Sequence, residues 1–154
     1  RLLENEMGQG KFKVVLTLSG DENRYSKWLY ERWGSVRSIE FAGFMSRERL
    51  YGHYKSADCL VFPSKVETWG LPITEFMEVS GDKPMLLADL PYAHETAAGA
   101  SQVCFFNPSD PKELKERMQE LIQDKCVALA SVPKLEIEEP KAESWKELFE
   151  ILLS

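Results

Sequence analysis

The chain has 154 residues, of which 44% are hydrophobic, and a formal net charge of -6. This length supports one domain with a substantial buried core and is too short for two such domains. The negative charge and the absence of a Lys/Arg run exclude a broad surface for nucleic acid or an anionic membrane, because either partner would be repelled. A small anionic ligand held by local dipoles stays compatible with this composition.

The apolar residues and the cysteines exclude two further classes of protein. No apolar stretch approaches the ~20 residues that cross a bilayer, and residues 1–10 have no signal-peptide core, so we expect a soluble cytoplasmic protein. Cys59, Cys104 and Cys126 lack the spacing of a CxxC or Cys/His metal site. We therefore expect reduced, mostly buried thiols rather than a disulfide framework.

Short β-branched runs alternate with segments of helical periodicity along the chain. That alternation is typical of an α/β fold in which a doubly wound, mostly parallel sheet is covered by helices on both faces. The predicted strands cover residues 13–18, 38–41, 59–62, 84–88 and 102–106. The predicted helices cover residues 25–33, 47–54, 72–79, 92–98, 112–124 and 144–153.

Local signals at both ends of the chain predict its organisation. Residues 1–7 resemble the end of an amphipathic helix that lacks its N-cap, so we expect the chain to continue upstream. Asp110 and Pro111 are typical of the N-cap and first position of a helix. Two prolines in residues 132–140 predict a linker. We therefore divide the chain into one α/β domain, residues 1–131, and residues 132–154, a linker and a helix that packs on or beside it.

The loops after the strands are the candidate binding segments, because ligands of doubly wound sheets bind beyond the carboxyl ends of the strands. After the first strand, Gly20 permits close approach of the backbone to a phosphate, and Ser19 offers a hydroxyl. After the second strand, the backbone around Phe44 and Met45 is suited to pairing with a planar base. Ser46 then caps the next helix, and an ordinary turn with an N-cap explains this second loop better than a base-binding site does.

The loop of residues 63–71 carries the most specific chemistry. Pro72 is suited to the first turn of a helix, so Glu67 lies in the loop and Glu75 lies about one turn into the helix. One fold of the chain then brings both carboxylates to one side of a pocket, as acceptors for sugar hydroxyls. The amides of residues 68–71 and the helix N-terminus supply partial positive charge for a diphosphate. Taken singly, each glutamate is explained better by an ordinary role, Glu67 as a solvated loop residue and Glu75 as an acid that the helix dipole favours in the first turn.

The spacing from Glu67 to Glu75 resembles the glutamate, seven residues, glutamate signature of retaining glycosyltransferases of the family 4, or group 1, type. Other segments that resemble the family follow in its order: residues 18–20, 41–44, 54–58, 61–64, 105–108 and 144–145. Such enzymes have two Rossmann-like domains in the GT-B arrangement. The resemblance implies that this chain is the C-terminal, donor-binding domain and that the acceptor-binding domain is absent from it.

The resemblance also implies roles for individual residues. Glu67 would contact hydroxyls of the transferred sugar at the catalytic centre, and Glu75 would hold the ribose of the nucleotide. The remaining donor-binding residues would be Thr68, Trp69, Gly70 and Leu71 along the diphosphate, Ser19 and Gly20 beside the phosphates or nucleoside, and Phe44 and Met45 at the base.

The chemistry and the partners follow from the same resemblance. The enzyme would retain anomeric configuration, and neither a cofactor nor a metal is expected, since no Asp-x-Asp motif is present. The acceptor would be a glycan or lipid-linked sugar of polysaccharide biosynthesis, such as capsule or lipopolysaccharide, at the inner face of the membrane. The isolated chain would bind its donor without turnover.

The chain departs from the family at its N-terminus, where the family's first strand and Arg/Lys phosphate clamp would precede Arg1. In Rossmann order that strand is central, so the sheet must close a gap or borrow a segment, for which residues 127–132 are a candidate.

Two other functions stay open. A nicotinamide- or flavin-binding domain shares the fold, although the chain has no GxGxxG after a predicted strand. A non-enzymatic module, in which Glu67 and Glu75 are structural only, would bind no nucleotide sugar.

Overall fold

Helices and strands alternate along the computed structural model, which describes residues 2–125, 128–135 and 142–153. The elements in chain order are α1 Leu2–Met7, β1 Val14–Leu16, α2 Arg24–Trp33, β2 Ile39–Phe41, α3 Arg47–Ser56, β3 Leu60–Phe62, α4 Leu71–Ser80, β4 Met85–Ala88, α5 Pro91–Thr96, β5 Val103–Phe106, α6 Pro111–Ile122 and α7 Trp145–Leu153. Every strand and helix predicted from the sequence is present, and the α/β class is confirmed.

The strands form two parallel sheets within the described residues. In the first sheet, β1 pairs with β2 so that Val14 lies opposite Ile39. In the second sheet, β4 lies between β3 and β5, with Leu60 opposite Met85 and Met85 opposite Val103. Among the described strands, β1 and β3 therefore each have a hydrogen-bonded neighbour on one side only. The expectation of parallel pairing is confirmed, but the strands are not continuous across one sheet.

Residues 128–132 do not fill the space between the two sheets. The backbone of Ala130 forms an antiparallel bridge with Val103 of β5, in which each residue donates to the other at 2.9 Å. Val132 extends this contact through hydrogen bonds to Ala100 and Gly99. The segment thus lies beside β5, and residues 128–132 are not the substitute central strand for which they were a candidate. Residue 127 lies outside the described residues.

The three-stranded sheet is buried on both faces because its side chains alternate between two hydrophobic clusters. Met85 and Leu87 of β4 face a cluster that includes Phe76 of α4 and Ala93 of α5. Leu86 points the other way, where α6 covers it. The residues of α6 that pack there are Leu114, Met118 and Leu121.

Side-chain caps explain where several helices begin. Asn23 accepts hydrogen bonds from the amides of Tyr25 and Ser26 at the start of α2. Ser46 caps α3 through the Arg49 amide at 3.3 Å, as predicted. Asp110 caps α6, and Pro111 occupies its first position, also as predicted.

Two pairs of helices pack against each other. On one side α3 packs against α4, and α1 packs against α6, where Lys115 forms an ion pair with Glu6 at 3.0 Å. Cys59 and Cys104 are free thiols, and burial raises the pKa of Cys59 to about 12. These two cysteines agree with the expected reduced, mostly buried thiols, whereas Cys126 lies outside the described residues.

The C-terminal segment contains α7, within the predicted range 144–153. Residues 136–141 of the predicted linker lie outside the described residues, and the division at residue 131 stays a prediction. Across the described ranges, no helix is both long and apolar enough to cross a membrane.

The burial of β4 predicts a large stability difference between two identical substitutions. Leu86 is 0% exposed, whereas Leu152 of α7 is 67% exposed. We expect Leu86→Ala to lower the free energy of unfolding by about 2–5 kcal/mol, because it removes buried methyl groups and leaves a cavity. Leu152→Ala should change it by less than about 0.5 kcal/mol. Urea denaturation measures both, and equal effects would contradict the assignment of β4 to the core.

Candidate functional site

The loops after β1 and β2 touch each other at the carboxyl edge of the first sheet. The Gly43 amide donates to the Leu18 carbonyl at 3.1 Å. Gly43 has a positive φ of 70°, and a Cβ at this position would lie 3.4 Å from the Cβ of Ser19. The structure therefore places the predicted phosphate loop beside the predicted base loop.

The loop of Ser19 and Gly20 is occupied by a carboxylate of this chain. Glu22 accepts hydrogen bonds from the Ser19 amide at 2.5 Å, the Ser19 hydroxyl at 2.8 Å and the Gly20 amide at 3.0 Å. The Ser19 amide is the largest cause that lowers the pKa of Glu22 from its ordinary 4.5 to about 2. This geometry shows that the loop holds a carboxylate, and a phosphate bound there would take the place of Glu22.

The loop after β2 exposes an aromatic ring. Phe44 is 94% exposed, and Met45 beside it is partly buried. Ser46 and the start of α3 hold the following backbone in place. An exposed ring next to a fixed backbone suits contact with a planar base, and the role of Phe44 and Met45 at a base stays a prediction.

Arg47 links α3 to the second predicted glutamate. Its guanidinium lies 3.8 Å from the Glu75 carboxylate, over the Tyr51 ring, and donates to the Tyr51 hydroxyl. Glu75 also contributes, after burial, to raising the pKa of Tyr54 to about 12. Glu75 is therefore held from the side of α3, with 25% of its side chain exposed.

Gly70 makes the turn from the loop of residues 63–70 into α4. Its backbone is left-handed, with φ 81° and ψ 51°. A Cβ here would lie 3.2 Å from both Ile73 and the Tyr92 ring, so a larger residue would be strained by the backbone conformation and would require these side chains to shift. Pro72 lies in the first turn of the helix, as predicted.

The N-terminus of α4 differs from those of α2, α3 and α6. No described side chain forms a capping hydrogen bond at Gly70, whereas Asn23, Ser46 and Asp110 cap the other three helices. The positive end of the α4 dipole is thus left open at the carboxyl edge of the sheet.

The predicted diphosphate segment is mostly exposed. Glu67 and Thr68 are exposed, Leu71 is 65% exposed, and Trp69 is 43% exposed, with its indole N–H donating to the Thr74 hydroxyl at 3.1 Å. The charge of Glu67 contributes, after burial, to a raised pKa of Tyr92 on α5. Glu67 thus lies in the exposed loop before α4, whereas Glu75 lies within the helix and contacts Arg47 of α3.

The structure also reveals two residues that the sequence analysis did not select. Tyr92 donates to the Ser64 carbonyl at 2.7 Å, and Thr96 donates to the Trp69 carbonyl. Both acceptors belong to the loop that contains Glu67. The only sequence signal is that Tyr92 and Thr96 lie four residues apart in the helix that begins at Pro91, and many pairs of residues in short helices have this spacing.

The predicted residues form two groups. In the first group, Ser19 and Gly20 meet the loop of Phe44 and Met45. The second group, residues 67–71 and Glu75, lies at the start of α4, where Arg47 links Glu75 to α3. Within the described residues, no hydrogen bond or ion pair directly joins Ser19 or Gly20 to the loop of residues 63–70. No group of three His, Cys, Asp or Glu side chains in the described ranges is placed to hold a metal ion. The expectation that no metal is needed stays a prediction.

Comparison with known proteins identifies the family. Residues 6–143 match the family described as Glycosyl transferases group 1. The chain belongs to this family. A group 1 match over that range includes both glutamates, the loops after β1 and β2, and α6.

Two relatives of this group 1 chain are similar over smaller ranges. An uncharacterized glycosyltransferase of Methanocaldococcus jannaschii is 37% identical over 65 residues, which are 42% of this chain and 17% of that protein. Sucrose-phosphate synthase from Thermosynechococcus elongatus matches with a TM-score of 0.62 and 20% identity, over 80% of this chain and 32% of that one. The predicted family and the Rossmann-like fold are confirmed, and the chain spans a third or less of these relatives.

The Glu22 contacts predict a shifted titration. Ser19→Ala removes one hydroxyl donor and leaves both amides, so we expect the pKa of Glu22 to rise above about 2 without returning to 4.5. Because the folded-state pKa is depressed, this carboxylate contributes stability above its ordinary pKa, and the contribution is lost as pH falls through about 2. Carboxyl NMR titration measures the shift, with exposed Ser35→Ala as the control. An unchanged Glu22 titration in Ser19→Ala would exclude this hydrogen bond in solution.

Proposed function

We propose that this chain is the donor-binding domain of a glycosyltransferase that takes its sugar from a nucleotide diphosphate sugar. The observation that carries the proposal is the start of α4. An uncapped helix N-terminus lies between two glutamates at the carboxyl edge of a parallel sheet. Helix dipoles favour anions at this position, and carboxylates accept hydrogen bonds from sugar hydroxyls.

Each part of the site has a role in this proposal. The diphosphate lies against Gly70 and Leu71, where the backbone and the dipole supply positive charge without a metal ion. Glu75 accepts hydrogen bonds from the ribose hydroxyls, and its partial burial beside Arg47 fixes its carboxylate. Glu67 is exposed and accepts from hydroxyls of the transferred sugar at the reacting centre.

The other predicted donor residues complete the site. Thr68 and Trp69 line the diphosphate, and Phe44 and Met45 meet the base. Ser19 and Gly20 border the nucleoside or phosphates, where the ligand replaces the contacts of the Glu22 carboxylate. The contact between the loops of Ser19 and Gly43 supports a single binding edge for these parts of the ligand.

The proposal extends to the reaction of the whole enzyme. The sugar is transferred with retention of anomeric configuration to a glycan or lipid-linked acceptor, which a separate domain binds. The acceptor belongs to polysaccharide biosynthesis, such as capsule or lipopolysaccharide, at the cytoplasmic face of the membrane. The isolated domain binds donor without turnover, because the acceptor is held elsewhere.

Calorimetric titration of UDP, GDP and ADP and their glucose derivatives into this chain tests the proposal. We expect one nucleotide to bind, and Glu75→Ala to weaken it about ten- to a hundredfold. The loss of hydrogen bonds to a charged group costs about 1.5–3 kcal/mol, and ~1.4 kcal/mol corresponds to tenfold in affinity.

The control and a rival ligand make the titration decisive. Glu116→Ala changes an exposed glutamate of α6 and should leave binding unchanged. NAD in the same panel tests the dinucleotide alternative. Binding of NAD alone, or no binding of any nucleotide by the folded chain, would overturn the proposed function of this domain.

A further inference from the structure

The loop that contains Glu67 is attached at two points to one face of α5. Tyr92 and Thr96 are four residues apart, so their side chains project from the same side of the helix. The Tyr92 hydroxyl donates to the Ser64 carbonyl at 2.7 Å, and the Thr96 hydroxyl donates to the Trp69 carbonyl. The two carbonyls lie on either side of Glu67 in the sequence.

The side chains of Tyr92 and Thr96 are also held by packing within the protein. Thr96 is only 5% exposed, so its hydroxyl needs a partner within the protein. The Tyr92 ring packs edge-on against Phe62 at the end of β3 and lies against Gly70 at the start of α4. The two residues therefore touch the loop at its beginning, near its end, and where it enters the helix.

The helix that carries these donors is itself part of the core. Ala93 and Ala97 are 0% exposed and pack in the same cluster as Phe76 and Leu87. A surface loop held at two carbonyls by a buried helix has fewer accessible conformations than a loop whose carbonyls bind water. Glu67, Lys65 and Val66 stay exposed between the two attachment points.

We propose that Tyr92 and Thr96 are positioning residues that hold the backbone of residues 64–69 so that the Glu67 carboxylate faces the transferred sugar. This inference rests on the proposed function, because it assigns a purpose to the loop geometry at the donor site. A group that contacts a reacting sugar must be held within about 0.5 Å of its productive position. Glu67 lies between the two attachment points, three residues after Ser64 and two residues before Trp69.

Three variants of the full chain test the two hydrogen bonds. Thr96→Val and Tyr92→Phe each remove a hydroxyl and keep the side-chain shape, whereas Thr96→Ser keeps the donor. Tyr25→Phe is the matched control, because Tyr25 lies on α2 and is 66% exposed. If Thr96→Val does not fold, Tyr92→Phe still removes one attachment at a partly exposed site.

The first readout is loop order in the ligand-free chain. Backbone 15N relaxation should give residues 65–68 order parameters of about 0.85 in the unmodified chain. In Thr96→Val and Tyr92→Phe these order parameters should fall toward about 0.6. Thr96→Ser and Tyr25→Phe should keep the original values, and so should β4 in all variants. Unchanged loop order in both Thr96→Val and Tyr92→Phe overturns the proposal.

The second readout is the ratio of two affinities, measured by calorimetry with the best-binding nucleotide and its glucose derivative. A displaced Glu67 should lower affinity for the glucose derivative about two- to tenfold relative to the bare nucleotide, since one net hydrogen bond is worth about that factor. General damage to the domain would lower both affinities together. A looser loop with an unchanged ratio also overturns the positioning role.

The two readouts separate this inference from the proposed function. If the unmodified chain binds none of the nucleotides, the proposed function is overturned. The relaxation data then still decide whether Tyr92 and Thr96 hold the loop.

Discussion

The burial of β4 on both faces is the constraint on which the rest of the structure depends. Its four residues are at most 2% exposed, and β3 and β5 hydrogen-bond to its two edges. Such a strand requires apolar cover on each face, which α4 and α5 supply on one side and α6 on the other. Because the strands are parallel, the loops that lead into α4 and α5 leave the sheet at the same edge.

The turn at Gly70 connects the buried sheet to the candidate site. The chain passes from β3 into α4 beside the Tyr92 ring, and the left-handed backbone and close side chains at this turn favour glycine. The same turn leaves the helix N-terminus without a side-chain cap among the described residues. A packing requirement of the core thus also exposes positive charge where an anionic ligand of the sheet would bind.

Near the carboxyl ends of the strands, the local charges differ from the negative field that the overall charge of -6 indicates. Glu22 is stabilised as a carboxylate by amides of its own loop, and Arg47 lies beside Glu75. Each of these acids therefore has a local donor or cation as a partner. A negatively charged chain can accept an anionic ligand when backbone dipoles and individual cations, rather than net charge, determine the local field.

The sequence by itself determined the family, the α/β class and the order of elements, because these depend on local periodicity, caps and a motif contained in one segment. Asp110, Ser46 and Pro72 act where their local chemistry predicted.

Contacts between distant segments were decided only by the tertiary structure. Residues 128–132 lie beside β5 because the backbone of that strand offers a free edge, which no pattern in the segment itself shows. The Glu22 carboxylate in the Ser19 loop, the pair of Arg47 with Glu75, and the hydrogen bonds from Tyr92 and Thr96 depend on side-chain direction and on helix placement. The sequence supplied the candidate residues, and packing of the helices on the sheets determined which of them meet.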